Sequence, residues 1–291
     1  MKDLLTLTGL AAHDLLEILD LSEARDLGRP LEGHGAALVF QKPSARTRNS
    51  LEMAVHQLGG HPVYIQGDEV GLGTRESAED VARTLACYHR LIAARVLDHR
   101  DLERMAAATD RSIINLLSNR EHPLQGLADL LTIRQLCGDI AGVRVAYVGD
   151  GDNNVARSLA QGCAALGAEL RIASPQGYGL PEADTLGAIQ FTDPRGAVHG
   201  ADVVYTDVWV SMGQDTEAAA RTHAFQGYRV DEALMAEAPG AHFLHCLPAR
   251  RGEEVSAGVI DGSRSAVWRQ AENRMHTARG AIAWLLGVGR L

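Results

Sequence analysis

The stretch GAALVFQKPSARTRNSLEMAVHQLGG, residues 35–60, holds the signals of a strand, a turn and a helix in succession. Its first six residues, Gly35–Phe40, are an apolar run typical of a buried strand. Ser44 follows Pro43 where a helix N-cap is expected, and apolar residues then recur at helical intervals as far as a pair of glycines. The stretch therefore predicts a strand-to-helix turn.

This turn carries two hydroxyl groups and two guanidinium groups, from Ser44, Arg46, Thr47 and Arg48. Free backbone N–H groups and the helix dipole favour an anion at such a turn. Guanidinium groups bind phosphate through paired hydrogen bonds. The turn is therefore either a phosphate-binding site or an exposed basic helix start whose arginines pair with nearby acids.

The same alternation of strand and helix continues along the chain. Strand-like apolar runs include RLIAARV at 90–96, SIINLL at 112–117 and ADVVYTD at 201–207. Helical patterns separate such runs, for example at 78–88 and 156–166. The alternation predicts an α/β fold with two doubly wound domains, each an open parallel sheet flanked by helices. In such folds the active site is expected in the cleft between the two domains.

A domain boundary is predicted where a long helical pattern, residues 122–142, ends in glycines. A second series of strands and helices starts directly after it. We expect a first domain over residues 1–137, completed by a C-terminal helix at 272–291, and a second domain over residues 138–271.

The composition narrows the classes of function. The chain has 291 residues, of which 46% are hydrophobic, enough for a sizeable core. Its 28 basic and 37 acidic residues give a formal net charge of −9. Nucleic-acid binding needs a basic face, so nucleic acid is not expected as a partner. A local positive pocket can still attract a small anion.

The spacing of the cysteines and the character of the N-terminal residues favour a cytoplasmic location. The four cysteines, Cys87, Cys137, Cys163 and Cys246, lie far apart and include no C-x-x-C pair, which favours a reducing cytoplasm. The first twenty residues carry several acids and predict an amphipathic helix rather than a signal peptide. No apolar run approaches the length that spans a membrane, so no membrane partner is expected.

Two motifs that suggest a metal or a cofactor are weak. His242 and His245 form H-x-x-H on a strand-like run, where alternation sends them to opposite faces, so no metal site is expected. The segment GDGDNN at 149–154 follows a strand but lacks G-x-G-x-x-G, and no suitable acid ends the next strand. We therefore expect no dinucleotide.

Polar residues follow several of the strand-like runs, at the edge where α/β proteins gather their active groups. They include Arg95, His122, Asn154 and Asp207. Each has an ordinary structural explanation: Asp207 can cap a helix, Asn154 can hold a turn, and His122 can precede a proline at a helix start. Their joint occurrence at one kind of position favours a shared function.

Taken together, the motifs resemble the aspartate/ornithine carbamoyltransferase family, in its ornithine branch. SARTR is similar to the carbamoyl-phosphate signature S-T-R-T-R, and EHPLQ to the H-P-x-Q helix start. DVWVSMGQ resembles the D-x-W-x-S-M-G loop of the ornithine branch, and LHCLP the H-C-L-P segment. QAENRMH resembles the final helix, which bears an arginine. The matches follow the family's order and cover essentially the whole chain.

The resemblance implies two sets of site residues and no metal or organic cofactor. Within these sets Arg95, His122 and Cys246 would be the catalytic residues. The carbamoyl-phosphate set is Ser44, Ala45, Arg46, Thr47, Arg48, Arg95, His122, Gln125, Cys246, Leu247 and Arg274. The ornithine set is Asn154, Asp207, Ser211 and Met212.

The chain departs from the family pattern at three positions. Ala45 replaces the first threonine of the signature, Gln41 stands where a glutamate is usual, and Gly71 stands where relatives place a glutamine or histidine. These changes remove a hydroxyl, a supporting charge and a contact near carbamoyl phosphate.

The resemblance implies transfer of the carbamoyl group of carbamoyl phosphate to the δ-amine of ornithine, by a homotrimer or a multiple of trimers. Two alternatives stay open. One is a sister transferase that acts on aspartate, putrescine or an acylated ornithine. The other is a non-catalytic relative that binds the ligands only. Both the biosynthetic and the catabolic direction of the reaction are also open.

Overall fold

The structure is a computed structural model that describes residues 3–210 and 215–289. The chain divides into two compact units. The first comprises Met1–Ala128 and Arg274–Leu291, and the second comprises Asp129–Asn273. The division falls inside a helix, upstream of the boundary that the glycines predicted.

The first unit is built on a four-stranded sheet in which all neighbouring strands run parallel. In chain order the strands are β1 (Gly35–Phe40), β2 (His61–Gln66), β3 (His89–Arg95) and β4 (Ser112–Leu117), and in space they are arranged β2-β1-β3-β4. The helices that begin in this unit are α1 (Ala12–Glu23), α2 (Ala45–Gln57), α3 (Gly67–Val70), α4 (Ala78–Tyr88), α5 (His99–Ala108) and α6 (Pro123–Cys137).

The burial of β1 and the turn that follows it were both predicted from the sequence. From Ala36 to Phe40 every side chain is buried, as expected for a strand covered on both faces. The chain then turns at Ser44, whose Oγ accepts a hydrogen bond from the backbone N–H of Thr47 and so caps α2. The strand-to-helix turn predicted for residues 35–60 therefore forms.

The second unit repeats the design with five parallel strands, arranged β7-β6-β5-β8-β9. The strands are β5 (Arg144–Val148), β6 (Glu169–Ala173), β7 (Ile189–Phe191), β8 (Val203–Thr206) and β9 (His242–His245). The helices are α7 (Asn154–Leu166), α8 (Pro194–Val198), α9 (Ala218–Ala224), α10 (Glu232–Met235) and α11 (Ala257–Ile260). The last helix, α12 (Val267–Leu285), starts in this unit and ends in the first.

The two parallel sheets flanked by helices confirm the predicted α/β class. In both sheets the parallel strands bring their carboxyl ends to one edge. Arg95 lies at that edge of the first sheet and Asp207 at that edge of the second. Within the described residues, no helix combines the length and the apolar character that crossing a membrane would require.

Candidate active site

The turn after β1 arranges its polar groups around the start of α2. Thr47 is buried, and its Oγ1 lies 3.1 Å from Ser44 Oγ. Arg46 is exposed, and no described residue forms an ion pair with it. A helix of thirteen residues therefore begins here with its N–H groups, two hydroxyls and an available guanidinium in one place.

Arg48 points elsewhere. Its Nε lies 2.8 Å from Glu52 Oε1, and its guanidinium carbon lies 3.9 Å from the ring centroid of Tyr64. Of the two predictions for this turn, pairing with a nearby acid therefore holds for Arg48. Its side chain could bind phosphate only after leaving Glu52 and Tyr64.

Three arginines approach one another in the first unit. Arg95, at the end of β3, is buried, and burial followed by the charges of Arg274 and then Arg46 lowers its pKa to about 10. Arg274, on α12, is also buried and donates from Nη1 to Gln125 Oε1. Burial and both neighbouring charges disfavour the charged form of Arg95, so a bound anion would stabilise that charged form.

His122 completes this cluster as a neutral imidazole. Burial, then the charges of Arg274 and Arg95, hold its pKa well below its ordinary value. Arg274 Nη1 lies 3.4 Å from His122 Nε2, and because arginine can only donate, Nε2 accepts and Nδ1 carries the proton. His122 can therefore donate a hydrogen bond without bringing a fourth positive charge.

The lowered pKa of His122 makes stability depend on pH. Below about pH 6.5 the unfolded chain binds a proton at this position that the folded chain does not, so the free energy of unfolding falls as the pH falls. Between pH 8 and pH 5.5 we expect the His122→Asn variant to lose about 1.4 kcal/mol less in total. Urea unfolding between pH 5.5 and 8 measures the two slopes, and parallel slopes would contradict a neutral buried His122.

In the second unit, Asp207 and Cys246 meet directly. Cys246 Sγ donates to Asp207 Oδ1 at 3.0 Å, and the backbone N–H of Val208 donates to the same oxygen at 2.8 Å. Asp207 is buried and Cys246 half-buried. Leu247 follows with a positive φ of 59° and a cis bond to Pro248. The structure therefore places a carboxylate and a thiol side by side at the carboxyl edge of β8 and β9.

Within the described residues, one group of side chains could hold a metal ion, formed by Asp207, His245 and Cys246. Both ring nitrogens of His245 already have partners. Nδ1 accepts from the Leu247 N–H at 2.9 Å, and Nε2 lies 3.1 Å from the fully buried Glu254. Metal binding here would have to break one of these buried hydrogen bonds.

The remaining predicted ornithine residues are Asn154, Ser211 and Met212. Asn154 is the first residue of α7, which Asn153 caps by accepting from the Ala156 N–H at 2.8 Å. Ser211 and Met212 lie outside the described residues.

Comparison with known proteins decides the family. The model of the carbamoyl-phosphate-binding domain of aspartate/ornithine carbamoyltransferases matches residues 2–135, and that of the aspartate/ornithine-binding domain matches residues 141–285. The chain belongs to the aspartate/ornithine carbamoyltransferase family. The resemblance drawn from the motifs is thereby confirmed.

Individual members of the family are similar over nearly their whole length. The ornithine carbamoyltransferase of Thermus thermophilus is 46% identical, with 98% of this chain and 97% of the relative covered. The anabolic ornithine carbamoyltransferase of Pyrococcus furiosus is 43% identical, with 98% and 96% covered. The crystal structure of the ornithine carbamoyltransferase of Thermus thermophilus is 43% identical over 98% of each chain, with a TM-score of 0.91. The solved structure of the Pyrococcus furiosus ornithine carbamoyltransferase is 42% identical over 100% of this chain and 98% of the other, with a TM-score of 0.93.

Two of the departures from the usual carbamoyltransferase pattern have a local explanation. Gly71 ends α3 in the left-handed conformation at a φ of 61°, and a Cβ there would lie 2.7 Å from Arg75 Cβ. A glutamine or histidine would not fit this backbone. Ala45 is the exposed first residue of α2, and the turn forms without a hydroxyl there.

Restoring the usual threonine, with Ala45→Thr, is expected to change the Kd for carbamoyl phosphate by less than about fivefold, because helix-start N–H groups and arginines provide most of the anion binding. A direct hydrogen bond to phosphate would contribute roughly 1.5–3 kcal/mol, or about ten- to a hundredfold. Calorimetry distinguishes the two cases, and a gain of tenfold or more would show that Ala45 weakens this site.

Sequence reasoning missed a buried ion pair in the second unit. Arg221, on α9, donates to Asp150 at 2.7 Å and to the backbone oxygen of Trp209 at 3.2 Å. It thereby ties the segment after Asp207 to the end of β5. The available signal was Asp150 itself, an acid that directly follows a strand.

Proposed function

We propose that this protein transfers the carbamoyl group of carbamoyl phosphate to the δ-amine of L-ornithine, giving L-citrulline and phosphate. The observation that carries the proposal is the cluster of Arg46, Arg95 and Arg274, with a neutral His122 beside the last two. Such a cluster suits an acyl phosphate, because positive groups bind the phosphate and hydrogen-bond donors stabilise the negative charge that develops on the carbonyl oxygen during the reaction. The ornithine carbamoyltransferase relatives support ornithine as the acceptor rather than another amine.

Carbamoyl phosphate is proposed to bind to the first unit. Its phosphate would meet Ser44, Thr47, Arg46 and the N–H groups at the start of α2, including those of Ala45 and Arg48. Gln125 would hold the carbamoyl NH₂, with Arg274 adding positive charge. We propose the carbonyl of Leu247, from the H-C-L-P segment, as the second partner of this NH₂.

Ornithine is proposed to bind to the second unit. The Asp207 carboxylate would hold the α-ammonium group together with Ser211, while Asn154 and the Met212 backbone would meet the carboxylate. Cys246, hydrogen-bonded to Asp207, would guide the δ-amine. This assignment explains why a buried carboxylate has no arginine among its described hydrogen-bond donors.

The proposed reaction has two proton steps. The δ-ammonium, whose pKa is near that of lysine at about 10, first gives one proton to solvent. The δ-nitrogen then forms a bond to the carbamoyl carbon while Arg95 and His122 stabilise the developing oxyanion. The bond between this carbon and the phosphate oxygen breaks, and the departing phosphate accepts the second proton of the amine. An acyl phosphate is already activated, so we propose that no metal or organic cofactor takes part.

We also propose a cytoplasmic homotrimer, or a multiple of trimers, that works in arginine biosynthesis. The four cysteines lie far apart in the sequence and include no C-x-x-C pair, which favours a reducing compartment. The Pyrococcus furiosus relative is named anabolic. Light scattering would test the assembly, with an expected mass of three times 31.2 kDa or a multiple of it.

A substrate panel tests the proposed function. Purified protein is given carbamoyl phosphate with ornithine, aspartate, putrescine or N-acetylornithine, and ureido product and phosphate are both measured. We expect citrulline and equal phosphate from ornithine, and no comparable turnover with the others. Faster turnover of another amine would support a sister transferase, and ligand binding without any turnover would support a non-catalytic relative.

A further inference from the structure

Gln41 directly follows β1 and makes three hydrogen bonds to main-chain groups outside its own strand. Its backbone N–H donates to the Arg95 carbonyl at 2.9 Å. Its side-chain Oε1 accepts from the Leu97 N–H at 2.7 Å, and its Nε2 donates to the Leu72 carbonyl at 3.3 Å. The residue is half-buried and lies where the ends of β1 and β3 meet the segment 67–76.

The first two of these bonds flank Val96, the residue directly after Arg95. The pairing of β3 with β4 shifts register between Ala94 and Arg95, so Arg95 lies at an irregularity of the kind that redirects side chains near active sites. On the β4 side, the next residue, Val96, donates to the Leu117 carbonyl at 2.9 Å. On the other side, Gln41 alone bonds both the Arg95 carbonyl and the Leu97 amide among the described residues.

The third bond holds the segment 67–76 against this strand end. Gly67 packs so closely on Gln41 that a Cβ at position 67 would lie 2.7 Å from Gln41 Cα. Leu72, whose carbonyl accepts from Gln41, is buried in the core of the first unit. One side chain therefore joins two main-chain segments.

The chemistry of these contacts requires an amide. Oε1 must accept from an N–H group and Nε2 must donate to a carbonyl, which an amide side chain of this length does and an ionised glutamate, an acceptor only, does not. A glutamate would keep the Leu97 contact but would set a carboxylate oxygen against the Leu72 carbonyl. This explains how the chain functions without the glutamate that is usual at this position.

We infer that Gln41 is a positioning residue for Arg95, acting through the Leu97 amide, and that it holds the segment 67–76 by a separate bond to Leu72. The inference rests on the proposed role of Arg95 at the carbamoyl oxygen. Gln41 lacks the negative charge of the usual glutamate, but its side chain stabilises the main chain at Leu97 and Leu72 instead. A misplacement of about 1 Å at such a group can cost about a hundredfold in rate.

Two variants separate the two bonds. Gln41→Leu removes both side-chain contacts and is expected to lower kcat about tenfold or more, with the KM for ornithine within about threefold of wild type. Gln41→Glu keeps the acceptor for Leu97 and is expected to stay within about threefold in kcat. Hydrogen exchange should increase in the segment 67–76 in both variants, but at the Leu97 amide only in Gln41→Leu.

The matched control is Gln190→Leu, which deletes a side-chain bond of the same kind, from Gln190 Nε2 to the Leu180 carbonyl in the second unit. It should leave kcat unchanged. A double-mutant cycle adds the decisive readout. If Gln41 acts through Arg95, adding Gln41→Leu to an Arg95→Ala variant should lower kcat by less than about twofold.

A wild-type kcat for Gln41→Leu, an equal loss in Gln41→Glu, or full additivity with Arg95→Ala would each overturn the inference. If Gln41→Leu does not fold, Gln41→Asn, which is one methylene too short for both contacts, replaces it with the same expectations. Failure of the proposed function would look different, because the wild-type protein itself would then form no citrulline.

Discussion

Arg95→Ala is expected to lower kcat by about a hundred- to a thousandfold, the effect typical of removing one fixed donor from a developing oxyanion. Arg95 is buried at the end of β3. Carbamoyl-phosphate binding should suffer much less. Arg95 is close enough to Arg274 and Arg46 to be repelled by both, so removing its charge also removes this repulsion, which offsets part of the lost attraction.

Steady-state kinetics and calorimetry together measure this prediction. Arg83→Ala provides the control, since Arg83 lies on the same unit in an exposed ion pair with Asp80, and such pairs contribute about 0–1 kcal/mol. It should retain wild-type kcat. An Arg95→Ala variant with kcat within tenfold of wild type would remove Arg95 from the oxyanion site.

Asp207→Asn is expected to raise the KM for ornithine by about a hundredfold or more while leaving carbamoyl-phosphate affinity unchanged. Removing one partner of a buried ion pair costs about 3–5 kcal/mol, and every 1.4 kcal/mol is a factor of ten. The replacement keeps Oδ1, so the acceptor for the Val208 N–H and the Cys246 thiol is retained. The loss is thus one of charge rather than of local structure.

Calorimetry with carbamoyl phosphate first and ornithine second separates the two ligands. Asp261→Asn is the control, because Asp261 lies in the same unit in an exposed ion pair with Arg251. Ornithine turnover by Asp207→Asn within a fewfold of wild type would show that Asp207 does not bind the α-amino group.

Much of the fold could be predicted from the sequence because the patterns that determine it lie in short, continuous stretches. The apolar run of β1, the cap at Ser44 and the glycine pair after α2 lie within 26 consecutive residues, residues 35–60. The places of Arg95 and Asp207 at the ends of strands could also be predicted locally, since each is the polar residue at the end of an apolar run. Parallel strands bring such residues to one edge of a sheet whatever the loops between them do.

What could not be predicted depends on contacts between distant residues. Arg274 meets Gln125 across 149 positions, and Arg221 meets Asp150 across 71. Nothing in the sequence near Arg48 shows that it turns to Tyr64 instead of the phosphate turn. The role of Gln41 is also hidden, because its partners are main-chain groups of Leu72 and Leu97, which any residue could supply.

The most direct test of the central claim follows the bond that the reaction forms. Carbamoyl phosphate labelled with ¹³C is supplied with ornithine labelled with ¹⁵N at the δ-position, and the product is analysed by ¹³C NMR. We predict a single ureido carbon that shows one-bond coupling to ¹⁵N, formed in step with free phosphate. A labelled product without this coupling would place the carbamoyl group on the α-amine, and phosphate release without labelled citrulline would mean that no transfer to ornithine occurs.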